Sequence, residues 1–417
     1  MIRDVLIEQR RELEEILAER YVKRTVPAHA LQASPLVKVV IGPRRAGKSF
    51  FAAHLAQSLG PFGYVNFDDE RLAGELDAGS LLTSVDEFYG HPKHLLLDEI
   101  QNLPSWELLV NRLQRHRRRL VITGSNSNLL SSELSTHLTG RHQTIVIFPF
   151  SLCELIRLQG NELTQAERQS LLDRYVREGG MPEPWVTAIN RVEYLRTLVH
   201  SILYKDIISR FRIRAIQGLE DLAHYLFSNV AKEFSYRRLA QVTRCRSPHT
   251  AEKYLRHLEE AFLFFTLPRF SFKAREQASA NKKVYCVDNG TATALGFRAG
   301  RDQGQLLENT VAIALRRREL YGDFSIFFWR NAANQEVDFV VRQGLQVTEL
   351  IQVCRDVSDP KTLDLETRAL LRAGAELDCN RLTILTVGEA KEYEAQWHTI
   401  KGTIRHVPLA EWLTAHA

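Results

Sequence analysis

The segment with the clearest chemical meaning runs from Gly42 to Ser49. It reads Gly-Pro-Arg-Arg-Ala-Gly-Lys-Ser, which fits G-x-x-x-x-G-K-[ST], with an apolar stretch before it and a helical stretch after it. In such a loop the glycines let backbone N–H groups curl around phosphate oxygens, and the following helix adds its partial positive charge. Lys48 would reach the terminal phosphates, and Ser49 would ligate magnesium. The pattern predicts a site for ATP and Mg²⁺ formed by Gly42, Pro43, Arg44, Arg45, Ala46, Gly47, Lys48 and Ser49.

A second pair of candidate groups ends a predicted strand. The run His-Leu-Leu-Leu-Asp-Glu closes on two adjacent carboxylates, Asp98 and Glu99. Asp98 would hold the magnesium, and Glu99 would polarise the attacking water. Such an acid pair also occurs as a helix cap, and it is the upstream loop that favours the catalytic interpretation. A further predicted strand, 120–124, leads to Ser125 and Asn126, whose small polar groups either sense the γ-phosphate or form a plain turn.

Arginines supply the remaining candidates in this part of the chain. Arg141 follows Leu-Thr-Gly and is a candidate arginine finger, which would neutralise charge in the transition state. The alternative is a structural ion pair. A group of arginines flanks the strand at 120–124 and is predicted to form a solvated face, with a nucleic-acid or subunit contact as the alternative: Arg112, Arg115, Arg117, Arg118 and Arg119.

The elements that must position these residues follow from the spacing of apolar runs. Between 36 and 150, short apolar runs alternate with polar helical stretches, which is typical of a parallel sheet covered by helices. The later segments are helical, then helical with a β-rich end, then mixed α/β. We predict an α/β protein with an N-terminal helix at 1–34, a P-loop ATPase core at 35–150, a helical lid or linker at 151–218, a winged helix-turn-helix domain at 219–283 and a C-terminal α/β domain at 284–417.

The fourth of these parts has helix-turn-helix spacing. A short helix begins after a serine cap, and a second helix opens with Ser247-Pro248. We expect 262–267 and 269–275 to form the β-wing. Between 231 and 283, 12 Lys and Arg stand against five Asp and Glu, a surplus typical of a phosphate-backbone binder and also of a solvated face. Predicted DNA contacts are Arg237, Arg238, Arg244, Arg246, His249, Lys253 and Arg256. The alternative is a module that packs against protein.

The motifs together resemble a prokaryotic family of AAA-type ATP-binding proteins. The resemblance is carried by the loop ending at Ser49, by Leu-Leu-Asp-Glu-Ile-Gln around Asp98, by Thr-Gly-Ser-Asn, by Leu-Thr-Gly-Arg with the following Phe-Pro-Phe-Ser-Leu-Cys-Glu, and by Gly-Gly-Met-Pro-Glu. It covers nearly the whole chain and implies an AAA-like core with ATP and magnesium. Lys48, Ser49, Asp98 and Glu99 stand at the matching positions. In that family a C-terminal domain of unassigned function follows the core.

The C-terminal segment resembles restriction-endonuclease-like domains, with one departure. In such domains a helix Glu, a strand Asp and an E-x-K tripeptide hold magnesium and activate water. Glu308 and Asp338 match, but the tripeptide positions read Gln352-Val-Cys354. A glutamine can ligate a metal through its carbonyl, whereas a neutral thiol cannot replace the lysine ammonium. We predict a degenerate nuclease-like site at Glu308, Asp338, Gln352 and Cys354 that does not cleave DNA.

Composition excludes several classes of protein. Of the 417 residues, 44% are hydrophobic and 25% charged, values that exclude disordered, collagen-like and coiled-coil chains. No apolar run approaches the roughly 18 residues of a membrane span, and the N-terminus lacks the pattern of a signal peptide, so we expect a cytoplasmic protein without a membrane segment. Five cysteines without C-x-x-C indicate reduced thiols rather than disulfides or a zinc site.

These observations predict an ATP-hydrolysing AAA-type ATPase that acts on DNA as a motor or remodeller, in recombination, repair or genome defence. A homo-oligomer is expected because an arginine finger is often donated by a neighbour. One alternative is a nucleotide-controlled, protein-binding switch or scaffold with slow hydrolysis. Another is an ATP-gated nuclease, for which a cation such as Arg316 or Lys361 must have migrated into the C-terminal site.

Overall fold

The fold was analysed on a computed structural model of the chain. It divides into two compact units, Met1–Pro149 and Phe150–Ala417, and each is considered by itself. The residues that the structure describes are 2–26, 34–72, 77–124, 140–160, 162–296, 303–355, 357 and 359–415. No helix among them is long and apolar enough to cross a membrane.

The first unit alternates strands and helices, as the rhythm of apolar runs predicts. Its elements are α1 (Ile2–Ala18), β1 (Val37–Ile41), α2 (Lys48–Leu59), β2 (Phe62–Asn66), a 3₁₀ turn (Glu70–Leu72), α3 (Ala78–Tyr89), β3 (His94–Asp98), a 3₁₀ turn (Ile100–Asn102), α4 (Trp106–Arg115), β4 (Arg119–Thr123) and β5 (His142–Val146).

A five-stranded sheet in the order β2-β3-β4-β1-β5 forms the middle of this unit. All four strand pairs are parallel, which confirms the predicted parallel-sheet core. β1 is buried along its whole length, because a central strand of such a sheet is covered on both faces. Helix α2 packs Phe51 and Leu55 against Leu96 and Val121 of the sheet. The strand order places the carboxyl ends of β1, β3 and β4 side by side.

The N-terminal helix α1 packs on the same core. Its Leu13 belongs to the apolar cluster that includes Phe51. Gln9 is almost fully buried and pairs with both backbone groups of Asn66, its amide donating to the carbonyl oxygen at 2.9 Å and its side-chain oxygen accepting from the N–H at 3.0 Å. Since Asn66 ends β2, Gln9 continues the hydrogen bonding of the sheet.

The second unit begins with helices and ends with a mixed α/β region. Its elements are α5 (Leu152–Gln159), α6 (Gln165–Glu178), α7 (Glu183–Val186), α8 (Arg191–Ser201), a π-helix (Ile202–Ser209), α9 (Ile216–Ser228), β6 (Lys232–Phe234), α10 (Tyr236–Val242), α11 (Pro248–Glu260), β7 (Phe264–Pro268), α12 (Ala274–Ser279), β8 (Lys282–Cys286), α13 (Asn289–Leu295), α14 (Gln303–Glu319), β9 (Ser325–Arg330), β10 (Glu336–Gln343), β11 (Gln346–Cys354), α15 (Pro360–Leu377), β12 (Leu382–Thr386), β13 (Lys391–Trp397), β14 (Ile400–Pro408) and α16 (Leu409–Ala415).

Two sheets organise this unit. Six strands pair in the order β13-β14-β12-β11-β10-β9, and a smaller antiparallel sheet has the order β6-β8-β7. The larger sheet is mixed, with β11-β12 and β12-β14 parallel and the other pairs antiparallel. Leu370 and Ala373 of α15 pack with Leu350 and Ile384, so this helix covers one face of the large sheet.

The strands near the expected wing differ from the prediction. We expected 269–275 to pair with the preceding apolar run, but the partner of β7 is β8. Local hydrogen bonds turn the basic segment instead: Ser271 accepts from the N–H of Lys273, and the Lys273 ammonium bonds Glu276 at 2.8 Å. The run that begins at Lys282 is predominantly buried, and this burial explains why it forms the strand.

The Gly-Gly-Met-Pro-Glu motif brings two backbones very close together. A Cβ atom on Gly180 would lie 2.0 Å from the carbonyl oxygen of Phe150, so only glycine fits there. The buried carboxylate of Asp288 accepts from the N–H of Gly180 at 2.6 Å and from that of Thr291 at 2.9 Å. The motif therefore packs the start of this unit against the N-terminus of α13.

Candidate functional site

The phosphate loop lies between β1 and α2, at the carboxyl edge of the parallel sheet. Gly42 has φ +146°, and a Cβ atom there would lie 2.1 Å from the carbonyl oxygen of Ile147. Gly47 precedes α2 with φ +87°, a left-handed conformation that glycine adopts without strain. Both glycines of the motif are thus required by the backbone, and the N–H groups of the first turn of α2 point into the loop.

Lys48 and Ser49 open helix α2 inside this loop. The buried Lys48 donates from Nζ to the carbonyl oxygen of Pro43 at 3.0 Å. Ser49 donates from Oγ to Oδ1 of Asp98 at 3.1 Å. Asp98 ends β3, so the structure brings the loop and the strand-end carboxylate together. A hydroxyl and a carboxylate oxygen at this separation suit Mg²⁺, which prefers oxygen ligands.

Asp98 is buried and held by hydroxyl groups. Thr123, at the end of the neighbouring strand β4, donates its hydroxyl to Asp98 and accepts the N–H of Glu99 at 3.0 Å. Burial raises the pKa of Asp98 to about 6, the charge of Glu99 adds to this rise, and the hydroxyls of Thr123 and Ser49 oppose it. A cation at this position would favour the ionised carboxylate. Sequence reasoning did not select Thr123, although its place before Gly-Ser-Asn marked the strand end.

Glu99 lies next to this site in an unusual backbone conformation. Its φ is +50°, a region that costs energy for residues other than glycine. Its side chain is half-buried and accepts from the amide of Gln101. Ser125 and Asn126 lie outside the described residues.

The structure separates Arg141 from the phosphate loop. Arg141 precedes β5, whose first residue pairs with Val37, the first residue of β1. The loop follows the other end of β1, so roughly 13 Å of strand separates the two positions. The Arg141 side chain is exposed, and its carbonyl oxygen accepts from the N–H of Val37 at 3.2 Å.

Arg24 was missed by the sequence analysis and contacts the phosphate loop. Its guanidinium is buried, donates to the carbonyl oxygen of Ala46 at 3.0 Å and also bonds the carbonyl oxygen of Phe148. A Cβ atom on Gly47 would lie 3.4 Å from Arg24 Nη1. Nearby, the ring of Tyr21 stacks on His54 of α2 at 3.9 Å between ring centroids. The segment after α1 is therefore part of the loop's surroundings, and an isolated arginine outside a motif gave no sequence signal.

The predicted DNA-binding residues lie on α10, on α11 and in the turn between them. Helix α10 is capped by Ser235, which accepts from the N–H of Arg238 at 3.2 Å, and α11 is capped by Ser247. Arg244 bonds Asp221 at 3.1 Å and Gln217 at 2.7 Å. All seven side chains of the predicted set are exposed: Arg237, Arg238, Arg244, Arg246, His249, Lys253 and Arg256.

The predicted nuclease-like residues lie around a buried lysine that sequence reasoning did not select. Nζ of Lys283, on β8, lies 2.8 Å from Oε1 of Glu308, 3.2 Å from Oδ1 of Asp338 and 2.5 Å from Oε1 of Glu336. Tyr285 donates its hydroxyl to Glu308 at 2.8 Å. We call these five residues the lysine cluster. A lysine ammonium does lie at these carboxylates, and it comes from β8 rather than from Arg316 or Lys361.

Gln352 and Cys354 take different positions from those of a metal-binding tripeptide. Gln352 accepts the N–H of Asp338 at 3.1 Å and donates to Glu366 of α15. Cys354 is buried in the apolar cluster beneath α15. Glu349, on the opposite face of β11, bonds Thr383 at 2.8 Å. Among the described residues, no three His, Cys, Asp or Glu side chains are arranged to hold a metal ion.

The electrostatics of the lysine cluster follow from its burial. Burial raises the pKa of Glu308, and the neighbouring Asp338 adds to this rise while Lys283 opposes it. Burial likewise raises the pKa of Glu366 to about 7, with the charge of Asp338 adding to it. Burial alone would lower the pKa of Lys283, but Glu308 and the other carboxylates outweigh it, so that pKa lies well above its usual value. The acidic neighbours of Lys283 thus favour its charged form.

Three segments of the chain match known protein families. Residues 34–156 match a family described as an AAA domain. Residues 169–303 and 303–356 match two families described as domains of unknown function.

Two relatives are similar along most of the chain. An uncharacterised protein of Methanocaldococcus jannaschii is 29% identical over 396 residues, covering 90% of this chain and 88% of the relative. An uncharacterised protein of Haemophilus influenzae is 28% identical over 365 residues, covering 82% and 88%.

Solved structures show a more distant likeness. AMPPCP-bound DnaA from Aquifex aeolicus is 14% identical with a TM-score of 0.28, covering 56% of this chain and 84% of that one. A signal-transduction ATPase with a tetratricopeptide repeat sensor from Pyrococcus horikoshii is 14% identical with a TM-score of 0.28, covering 72% and 46%. Likeness at this level carries no functional argument.

Proposed function

We propose that the protein, whose residues 34–156 match the AAA domain family, binds ATP together with Mg²⁺ and hydrolyses the ATP. The observation that carries the proposal is the contact of Ser49 with Asp98 directly beside the Lys48 loop. It joins a phosphate-binding loop to a carboxylate, which is the pair of parts that phosphoryl transfer to water requires.

In this proposal each residue has one task. The loop N–H groups and Lys48 bind the phosphates, and Lys48 can exchange its bond to the carbonyl oxygen of Pro43 for a phosphate oxygen, which is a stronger acceptor. Ser49 and Asp98 hold Mg²⁺, which supplies charge neutralisation for the phosphates when bound. Glu99 orients the attacking water and accepts its proton. Thr123 keeps Asp98 in place.

We further propose that the protein acts on or with DNA through the exposed basic residues of α10 and α11. The helix N-termini at Ser235 and Ser247 carry partial positive charge, and Arg237, Arg238 and Arg246 are exposed around them. Backbone phosphates are the partners that such a surface suits. A protein-binding switch with slow hydrolysis is the alternative.

One experiment tests ATP hydrolysis and separates the DNA-dependent ATPase from the protein-binding switch. Steady-state ATP hydrolysis is measured with no DNA and with single-stranded, duplex and branched DNA, and Lys48→Ala is the control for contaminating ATPases. Stimulation by DNA supports the DNA-dependent ATPase. Slow turnover that no DNA changes supports the protein-binding switch, and turnover equal to that of Lys48→Ala contradicts ATP hydrolysis altogether.

Arg141 enters the proposal only through a neighbouring subunit. Because it lies at the far end of the sheet from its own phosphate loop, we propose that it completes the site of a second copy in a homo-oligomer. Mixing Arg141→Ala subunits with Glu99→Gln subunits tests this, since a site that combines Glu99 of the first variant with Arg141 of the second is intact. Recovery of hydrolysis supports the assignment, and a mixture as inactive as its components contradicts it.

A further inference from the structure

The lysine cluster occupies the place where the sequence pattern puts a divalent cation. Glu308 on α14 and Asp338 on β10 are the two carboxylates that the restriction-endonuclease-like pattern assigns to a metal. In the structure they converge on Nζ of Lys283, at 2.8 Å and 3.2 Å. The position between them thus holds a cation that is covalently part of the chain.

The hydrogen bonds of this ammonium are saturated. A lysine ammonium has three N–H donors and no acceptor. Lys283 has three carboxylate partners, because Glu336 joins Glu308 and Asp338 at 2.5 Å. The side chain is 3% exposed, and leaving a buried charge of this kind unpaired is strongly unfavourable. Moving Lys283 out of the cluster would therefore cost more than an ordinary rotamer change.

Asp338 and Gln352 have further partners as well. The second oxygen of Asp338 accepts the N–H of Val353 at 3.0 Å. Gln352 bridges the N–H of Asp338 and the carboxylate of Glu366. A divalent cation bound by Glu308 and Asp338 would lie within a few ångströms of the ammonium and be repelled by it. The residues of this chain therefore do not fit the metal that the pattern implies.

The lysine cluster also connects two sheets. Lys283 belongs to the small sheet, whereas Glu336 and Asp338 belong to the large one. A second basic side chain crosses in the opposite direction, since Arg330 of β9 bonds Glu233 of β6. Between them, the N–H of Phe270 donates to the carbonyl oxygen of Phe328 at 2.7 Å. A backbone hydrogen bond and ion pairs in both directions thus join the two sheets.

We propose that the ammonium of Lys283 permanently replaces the divalent cation between Glu308 and Asp338. The lysine cluster then connects the small sheet to the large sheet. The carboxylates of this domain do not bind a catalytic metal while Lys283 is present.

The direct test removes the ammonium and asks whether a metal takes its place. The full chain is used without nucleotide and in an Asp98→Asn background, so that the phosphate loop contributes no metal site. Mn²⁺ is titrated against this protein, against the same protein with Lys283→Met, and against the protein with both Lys283→Met and Asp338→Asn. Methionine keeps the length of the side chain and removes its charge.

We expect Lys283→Met to bind one Mn²⁺ at least about tenfold more tightly than its parent, and the addition of Asp338→Asn to abolish that gain. Tb³⁺ gives an independent readout, because Tyr285 contacts Glu308 and would sensitise emission from an ion bound there. That emission should appear with Lys283→Met and disappear when Tyr285→Phe is added.

Two results would overturn the proposal. One is an Mn²⁺ site in the parent protein that Asp338→Asn removes, because a metal would then bind beside Lys283. The other is a Lys283→Met protein that Mn²⁺ neither binds nor stabilises. If Lys283→Met fails to fold in metal-free buffer, the titration is replaced by thermal melting, in which Mn²⁺ must raise the melting temperature of the variant and leave that of its parent unchanged.

Discussion

The phosphate loop and the lysine cluster use the same residue types in opposite ways. Each has a buried lysine near an aspartate of a β-strand. Asp98 ends β3, and Asp338 lies within β10. Lys48 donates to the carbonyl oxygen of Pro43, which an anionic phosphate can displace, whereas Lys283 is held by three carboxylates. A lysine bound to a neutral acceptor is ready for an anionic ligand, and a lysine saturated by carboxylates is a structural ion. The identity of the acceptors, rather than burial, makes the difference.

The largest expected effect concerns the phosphate loop. Lys48→Ala should abolish ATP binding, because the terminal phosphates lose the loop's cation, while Glu99→Gln should bind ATP and hydrolyse it roughly 10²- to 10⁴-fold more slowly. Equilibrium binding of a fluorescent ATP analogue and single-turnover hydrolysis measure the two effects. Tight binding by Lys48→Ala, or near-normal turnover by Glu99→Gln, would contradict the assigned roles.

The second prediction concerns stability, for which the substitution of Lys283 should have a larger effect than that of Lys48. Lys283→Ala should destabilise the second unit by about 3–5 kcal/mol, because it leaves buried carboxylates without their cation. Lys48→Ala should change the free energy of unfolding by less, because the carbonyl oxygen of Pro43 that Lys48 contacts is uncharged. Urea denaturation followed by tryptophan fluorescence measures both, and Glu336→Gln is a milder control that keeps two of the three carboxylates. Equal losses in the two lysine variants would remove the distinction.

An intermediate effect is expected at Arg24. It tests whether the contact of Arg24 with Ala46 holds the phosphate loop in the conformation that binds ATP. Arg24→Ala should raise the KM for ATP about tenfold with a smaller change in kcat, because Ala46 and the adjacent N–H groups lose their support. Arg24→Lys should recover part of the loss, and added guanidinium ion should recover more in the Ala variant. A change in melting temperature without any change in KM would limit Arg24 to a stabilising role.

The smallest expected effect concerns the basic surface of α10 and α11. Replacing Arg244, Arg246 and Lys253 together with Ala should reduce the salt dependence of DNA binding by up to about three counterions. Arg244 already pairs with Asp221, so Arg244→Ala alone should change the salt slope less than Arg246→Ala. Fluorescence anisotropy at several salt concentrations checks this. Binding that the triple variant leaves unchanged would favour the protein-binding alternative.

The sequence by itself determined the phosphate-binding half of the molecule. Eight consecutive residues specify the loop, because its chemistry depends on backbone conformation that Gly42 and Gly47 alone allow. The carboxylate at Asp98 was predictable for a related reason, since parallel strands end at a common edge. The order of strands and helices followed from the spacing of apolar runs, and the parallel sheet confirms it.

The tertiary structure decided everything that depends on residues distant along the chain. Lys283 lies 25 residues from Glu308 and 55 from Asp338, and no local pattern signals that a strand of one sheet donates its lysine to another. The same holds for Arg24, which meets Ala46 across the loop, and for Arg141, whose distance from that loop depends on the strand register. Spacing along the sequence fixes local geometry, whereas the partners of a buried charge are fixed only when the sheets pack.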